Sequence, residues 1–199
     1  SEGDADQADR RPRGHVPEIR VFPGPDELAT AVARSFVDLV GDADRPDRPG
    51  FAVALTGGTI ADRVHREIAR LGATLPVDWP WSLTFWWGDE RFVPADSPDR
   101  NAGQARAAFL DALGVHEDSI VEVPARGANS AIGEVTDVRR AAEVYDDLLR
   151  LALPGDTFDL VMLGVGPDGH VASLFPGAPQ LGVTGIRAVS VTDSPKPPP

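Results

Sequence analysis

A chain of 199 residues, 42% hydrophobic and 25% charged, has the size and apolar content of one globular domain. Its 31 acidic and 19 basic residues leave a formal net charge of −12. That field repels phosphodiester backbones and anionic membranes, so neither nucleic acid nor membrane is an expected partner, and an anionic small substrate needs a local cluster of cations.

Residues 1–15 lack apolar periodicity and read as a disordered tail, with residues 16–199 forming a single α/β domain. A short strand is expected over residues 18–22, closed by Pro23-Gly24-Pro25. Leu28, Val32, Ser35/Phe36 and Leu39 then recur at helical spacing, with Asp26 placed to start the helix. A charged Pro/Gly loop occupies residues 41–50. The continuous apolar run at residues 51–55 reads as a strand buried on both faces, and Ile60, Val64, Ile68 and Leu71 mark the helix after it.

The order repeats. Residues 83–87 form a strand, followed by a charged loop and a helix carrying Ala105, Ala108, Phe109 and Ala112. A helix with Val138, Ala141, Ala142, Tyr145 and Leu148 leads into another buried strand at residues 158–163, and residues 186–191 form the last. Strands alternating with helices imply a parallel sheet covered on both faces, with ligands bound beyond the carboxyl ends of the strands. The loops after Leu55, Trp87 and Leu163 lie at such ends.

Four segments are able to carry chemistry. Thr56-Gly57-Gly58-Thr59 opens a helix, where paired glycines allow close backbone approach and free amides favour an anion; a tight turn without a ligand explains the glycines as well. Trp86-Trp87-Gly88-Asp89-Glu90-Arg91-Phe92-Val93 places the forked guanidinium of Arg91 where it suits a phosphate, with Asp89 or Glu90 to orient it, although a solvated charge cluster is the commoner meaning of such a run. The third, Gly164-Val-Gly-Pro-Asp168-Gly169-His170, holds a histidine two residues after an aspartate on a glycine-bent loop, which suits general acid–base work; a lone histidine is more often structural. In the fourth, prolines stiffen the loop around Lys196, as they would in any Pro-rich tail.

Gly164, Gly166 and Gly169 also spell a dinucleotide-binding fingerprint, with Asp193 near the position of a ribose-binding acid. That fingerprint must open a sizeable helix. Pro176, Gly177 and Pro179 interrupt the chain within about two turns, and Pro167 removes an amide, so this reading is rejected.

Taken together the segments resemble the 6-phosphogluconolactonase family. The likeness rests on Leu55-Thr-Gly-Gly-Thr59, on Trp87-Gly-Asp-Glu-Arg91-Phe-Val93 with Asn101 downstream, on the stretch from Gly164 through His170 to Gly177, and on Ser194-Pro-Lys-Pro-Pro198, in family order. The resemblance implies a Rossmann-like α/β fold, no cofactor and no metal. It also implies hydrolysis of 6-phosphoglucono-δ-lactone in the pentose phosphate pathway. Two departures stand out. The family turn continues Ser-Thr-Pro where this chain reads Thr59-Ile60-Ala61, and family chains continue beyond the Pro-rich loop, so a C-terminal portion is expected to be missing here. The related glucosamine-6-phosphate deaminases carry an acid five residues after the loop histidine; Phe175 stands there in this chain and relays no proton.

The implied mechanism uses His170 as general base on water and Asp168 to orient it, while Arg91, Lys196 and the amides of Thr56, Gly57, Gly58 and Thr59 hold the phosphate. The chain is then expected to be a cytoplasmic hydrolase, monomeric or weakly dimeric, with a sugar-phosphate lactone as its partner. A deaminase-like enzyme and a non-catalytic sugar-phosphate-binding module are the alternatives.

Overall fold

The apolar runs at residues 51–55 and 83–87 become the two central strands of the computed structural model, which describes residues 17–41, 50–75, 83–130, 133–153 and 157–196. In chain order the elements are α1 (Pro25–Gly41), β1 (Phe51–Leu55), α2 (Thr59–Gly72), β2 (Leu83–Trp87), α3 (Asn101–Ala105), β3 (Asn129–Ser130), β4 (Gly133–Glu134), α4 (Val138–Ala152) and β5 (Leu160–Val161). β1 lies between β2 and β5 in a parallel sheet, with Val53 opposite Phe85 on one side and Leu160 on the other. β3 and β4 make a small antiparallel hairpin that the sequence pattern does not announce.

Alternate side chains of β1 and β2 feed two cores. Val53, Leu55, Phe85 and Trp87 pack under α1, α2 and α3, with Phe36, Ile68 and Phe109. Ala52 and Trp86 pack under α4, with Tyr145, Leu149 and Leu153. Burial on both faces is why these strands read as continuous apolar runs. α4 starts at Asp137, whose carboxylate accepts from the amides of Arg139 and Arg140, both at 3.0 Å. The Tyr145 hydroxyl accepts from the Trp87 amide at 2.9 Å and donates to the Trp87 carbonyl at 3.1 Å, fixing the last residue of β2 just where a site loop begins.

Several expected elements differ. The strand expected over residues 18–22 is not one; Ile19 and Val21 are almost fully exposed, because no neighbouring strand pairs with them among the described residues. Residues 186–191 are not a strand either, because α4 takes their polar groups. The Ala188 amide donates to Asp146 at 3.1 Å, as does that of Arg187, and the Arg187 guanidinium donates to the Leu149 carbonyl at 2.8 Å. The strand expected at residues 158–163 shrinks to Leu160–Val161 and is not buried: Val161 and Leu163 are 46% and 56% exposed on an edge of the sheet. α1 forms, but its buried stripe is Ala29, Ala33, Phe36 and Val40, mostly one residue on from the expected one. The expected tail at residues 1–15 and most of the loop at residues 41–50 lie outside the described residues.

His65 on α2 is a buried titratable group. It is 3% exposed, stacks on Phe109 at 4.8 Å, and its Nε2 has no hydrogen-bond partner among the described residues. Burial pushes its pKa down to about 4 from 6.5, against a small opposing pull from Asp62. The folded chain therefore keeps a neutral imidazole while the unfolded chain takes up a proton below pH 6.5. Stability is full above pH 6.5 and falls as pH drops toward 4, by about 3 kcal/mol from this residue. His65→Leu is expected to flatten that part of the pH dependence, checked by urea midpoints at pH 7, 5.5 and 4.5.

Candidate functional site

The three informative loops meet because their strands are adjacent and parallel. The first leaves β1 and enters α2 through Gly58, the N-cap residue, whose φ of 100° lies in the left-handed region and favours glycine. No side chain caps α2, so its first amides are presented by the backbone alone at the positive end of a 14-residue helix. The second loop leaves β2 and is joined to the first by the Gly88 amide, which donates to the Leu55 carbonyl at 2.8 Å.

The third loop follows β5. The Gly166 amide donates to the His170 carbonyl at 2.8 Å and the Gly169 amide to the Gly166 carbonyl at 2.9 Å, closing a tight turn that passes through Gly169 at φ 83°. This curl brings Asp168 Oδ1 to 2.5 Å from His170 Nδ1. The His170 hydrogen bond, aided by the nearby Lys196 charge, holds the Asp168 carboxyl below its usual range. An ionised carboxylate at that distance selects the tautomer with the proton on Nδ1, leaving the Nε2 lone pair available. The imidazole face is covered by Phe175, stacked at 4.9 Å with rings 27° apart. Ala172, two residues on, is the only described non-glycine residue with positive φ, at 52°.

Lys196 lies between the Asp168–His170 pair and Arg91. Its ammonium is 3.3 Å from His170 Nδ1 and 3.6 Å from Asp168 Oδ1, while its carbonyl accepts from Arg91 Nη1 at 3.3 Å and from the Ser194 hydroxyl at 3.0 Å. Thr56, Gly57, Gly58, Thr59, Arg91, His170 and Lys196 all line one cleft of about 1050 Å³. A second cleft, of about 280 Å³, lies beside Tyr145 and Phe175. Asp89, Arg91, His170, Ala172 and Lys196 border both, so the histidine stands on the wall between them. The structure thus brings every sequence-predicted site residue to one place, with Asp168 entering through its bond to His170. Among the described residues, no three His, Asp or Glu side chains converge as a ligand set for a metal.

Glu90 meets Arg91 through the backbone, its carboxylate accepting from the Arg91 amide, and its burial against Arg100 is not foreseen in the sequence. The Glu90 and Arg100 side chains are each 1% exposed, with the carboxylate 3.7 Å from the guanidinium. Burial raises the Glu90 pKa, opposed by Arg100 and by three backbone amides: Arg91 at 2.7 Å, Asn101 at 2.8 Å and Ala102 at 2.9 Å. No local signal marks a Glu and an Arg ten residues apart as a buried pair. Ser173, whose hydroxyl donates to Asp89 Oδ2 at 2.9 Å, gave none either.

A family model described as glucosamine-6-phosphate isomerases/6-phosphogluconolactonase matches residues 23–199. A 6-phosphogluconolactonase of Streptomyces coelicolor is 35% identical over 190 residues, covering 92% of this chain and 70% of its own length. One from Rattus norvegicus is 36% identical over 187 residues, covering 91% and 68%. Among solved structures, 6-phosphogluconolactonase from Trypanosoma brucei superposes with a TM-score of 0.69 at 31% identity, over 83% of this chain and 66% of that one. A monomeric glucosamine-6-phosphate deaminase shares the fold, with a TM-score of 0.60 at 20% identity. The chain therefore spans about two thirds of the length of the proteins it matches.

Proposed function

Because the chain belongs to the glucosamine-6-phosphate isomerase/6-phosphogluconolactonase family, we infer that it hydrolyses 6-phosphoglucono-δ-lactone to 6-phosphogluconate. The observation that carries the chemistry is the Asp168–His170 pair at 2.5 Å beside the cations Arg91 and Lys196 in one cleft. His170 Nε2 takes a proton from water as the water oxygen attacks the lactone carbonyl. The bond from that carbon to the ring oxygen then breaks, and Nε2–H returns the proton to the departing oxygen. Asp168 holds the Nδ1 proton throughout, so the base works in one tautomer and its imidazolium is stabilised. δ-Lactones are already strained esters, and general-base catalysis of ~10²–10⁴-fold with orientation supplies much of what is needed.

The phosphate is received by Arg91, Lys196 and the amides of Thr56, Gly57, Gly58 and Thr59. Ile60 offers only its amide, since no hydroxyl stands where the family turn carries one. Against a net charge of −12 these local cations capture an anion that the rest of the surface repels. Arg91→Lys is expected to raise the barrier in kcat/KM for the phosphorylated lactone by about 1.5–3 kcal/mol, because an ammonium does not reproduce a two-pronged contact. Glucono-δ-lactone without phosphate is the control. Equal loss on both lactones would place Arg91 at the reacting end instead.

Phe175 separates this reading from deamination. Stacked on His170, its ring neither donates nor accepts a proton at the position where a deaminase places an acid. The purified chain is expected to consume 6-phosphoglucono-δ-lactone, followed by pH-stat, and to release no ammonia from glucosamine 6-phosphate. The reverse pattern would transfer it to the deaminases. A cytoplasmic setting and a monomer or weak homodimer belong to the same proposal; the chain has no cysteine, as suits a reducing compartment, and no helix among the described residues is long and apolar enough to cross a membrane.

A further inference from the structure

The phosphate-binding Arg91 and the base His170 sit on different loops, so their spacing must be set by something other than either loop. We propose that Asn101 is the positioning residue that registers all three site loops, acting on the third through Asp89 and Ser173.

Asn101 is the first residue of α3 and is 8% exposed. Its side-chain amide occupies the space beside Gly57 so closely that a Cβ there would lie 1.8 Å from Asn101 Oδ1. That contact ties α3 to the first loop, and it explains Gly57 independently of any ligand. The Asn101 Nδ2 donates to the Asp89 carbonyl at 3.0 Å and lies 3.5 Å from Asp89 Oδ1, which ties it to the second loop. The other Asp89 oxygen, Oδ2, accepts from the Ser173 hydroxyl at 2.9 Å and so reaches the third, three residues beyond His170. One carboxamide and one carboxylate thus connect segments at residues 57, 89 and 173.

The anchor of this link is held from behind. Glu90 accepts from the backbone amides of Asn101 and Ala102 and from that of Arg91, so the start of α3 and the residue bearing the guanidinium hang on one buried carboxylate. Arg100 supplies the countercharge and is itself bonded to Glu122 at 3.1 Å and to the Val123 carbonyl at 2.8 Å. A buried ion pair adds little net stability, and its value lies in fixing one arrangement. An error of about 1 Å between a binding group and a base costs up to ~10²-fold in rate, so registration at this point is worth that much to the reaction.

The activity consequence rests on the lactonase reading; the mechanical one does not. Amide hydrogen exchange is measured on the full chain, on Asn101→Ala and on Ser173→Ala. Asn101→Ala is expected to speed exchange about tenfold in residues 56–60, 88–92 and 168–174 together. Ser173→Ala, which keeps the Gly57 contact and leaves no cavity of note, is expected to speed only the second and third. Changes confined to residues 100–106 in Asn101→Ala, or to residues 172–174 in Ser173→Ala, would overturn the proposal. In the activity arm, the ratio of kcat/KM for 6-phosphoglucono-δ-lactone over glucono-δ-lactone is expected to fall about tenfold in each variant. A merely structural loss lowers both substrates alike, and an unchanged ratio also overturns the proposal. If the unaltered chain hydrolyses neither lactone, the functional reading fails and the exchange pattern still decides the registration.

Discussion

Replacement of His170 by alanine is expected to lower kcat for lactone hydrolysis by about 10²–10⁴-fold and to leave KM nearly unchanged. A neutral imidazole is able to take up a proton and give it back, and the surroundings of this one are arranged around that property. Asp168 at 2.5 Å fixes the proton on Nδ1, and Phe175 at 4.9 Å fixes the plane of the ring. Neither neighbour is able to take over as base: a carboxylate is too weak a base and a phenyl ring has no lone pair to accept a proton. The proposed phosphate contacts at residues 56–59 and at Arg91 lie on other loops, which is why the loss is expected in kcat. Steady-state kinetics on 6-phosphoglucono-δ-lactone make the comparison, and a variant with near-normal kcat would remove His170 from the mechanism.

A methyl group placed behind the base should do almost as much harm as removing it. In Gly166→Ala the new Cβ would stand 1.9 Å from His170 Cε1, 2.1 Å from His170 Nδ1 and 2.8 Å from Asp168 Oδ1. These are positions no carbon can share, so the imidazole and the carboxylate must shift away from the new methyl group. Gly166 is not among the residues with positive φ, so alanine suits the backbone there and the effect falls on the pair. About 100-fold is expected in kcat, through lost orientation of the base, with Tm changed by a few degrees at most because the loop lies outside the cores. A Gly166→Ala enzyme with unaltered kcat would show that the His170–Asp168 geometry is dispensable.

What was legible in the sequence follows from distance along the chain and from how burial writes itself into composition. β1 and β2 are covered on both faces and so appear as unbroken apolar runs. The Asp168–His170 pair spans two residues of one turn, and the glycines that bend it are visible beside it. The segments at residues 18–22 and 186–191 show why such patterns mislead: apolar content states that a segment prefers cover, not that a strand is available beside it. The first is bare, and the second gives its amides to Asp146. β5 shows the same failure in part, since an apolar run ending in Leu163 promised burial on an edge that does not provide it.

The Asn101–Asp89–Ser173 chain was illegible for a different reason. Its bonds join residues 12 and 84 apart, and nothing local in an asparagine or a serine says which loop it will hold. Glu90 and Arg100 were worse than silent, because charge in a loop ordinarily means solvent, whereas these two are among the driest side chains in the molecule.

The two margins of the sheet are unequal. Along β2 the backbone is occupied: the Val121 amide donates to the Phe85 carbonyl at 2.8 Å, and Ile120 bridges to Phe85 in parallel. Along β5 no further strand pairs among the described residues, and Val161, Leu163 and Val165 face outward. Among the described residues the margin left open is therefore that of β5, on the flank from which the histidine loop springs. The exposed residues of that margin run straight into the histidine loop, so any cover over Val161, Leu163 and Val165 comes within a few residues of Asp168 and His170.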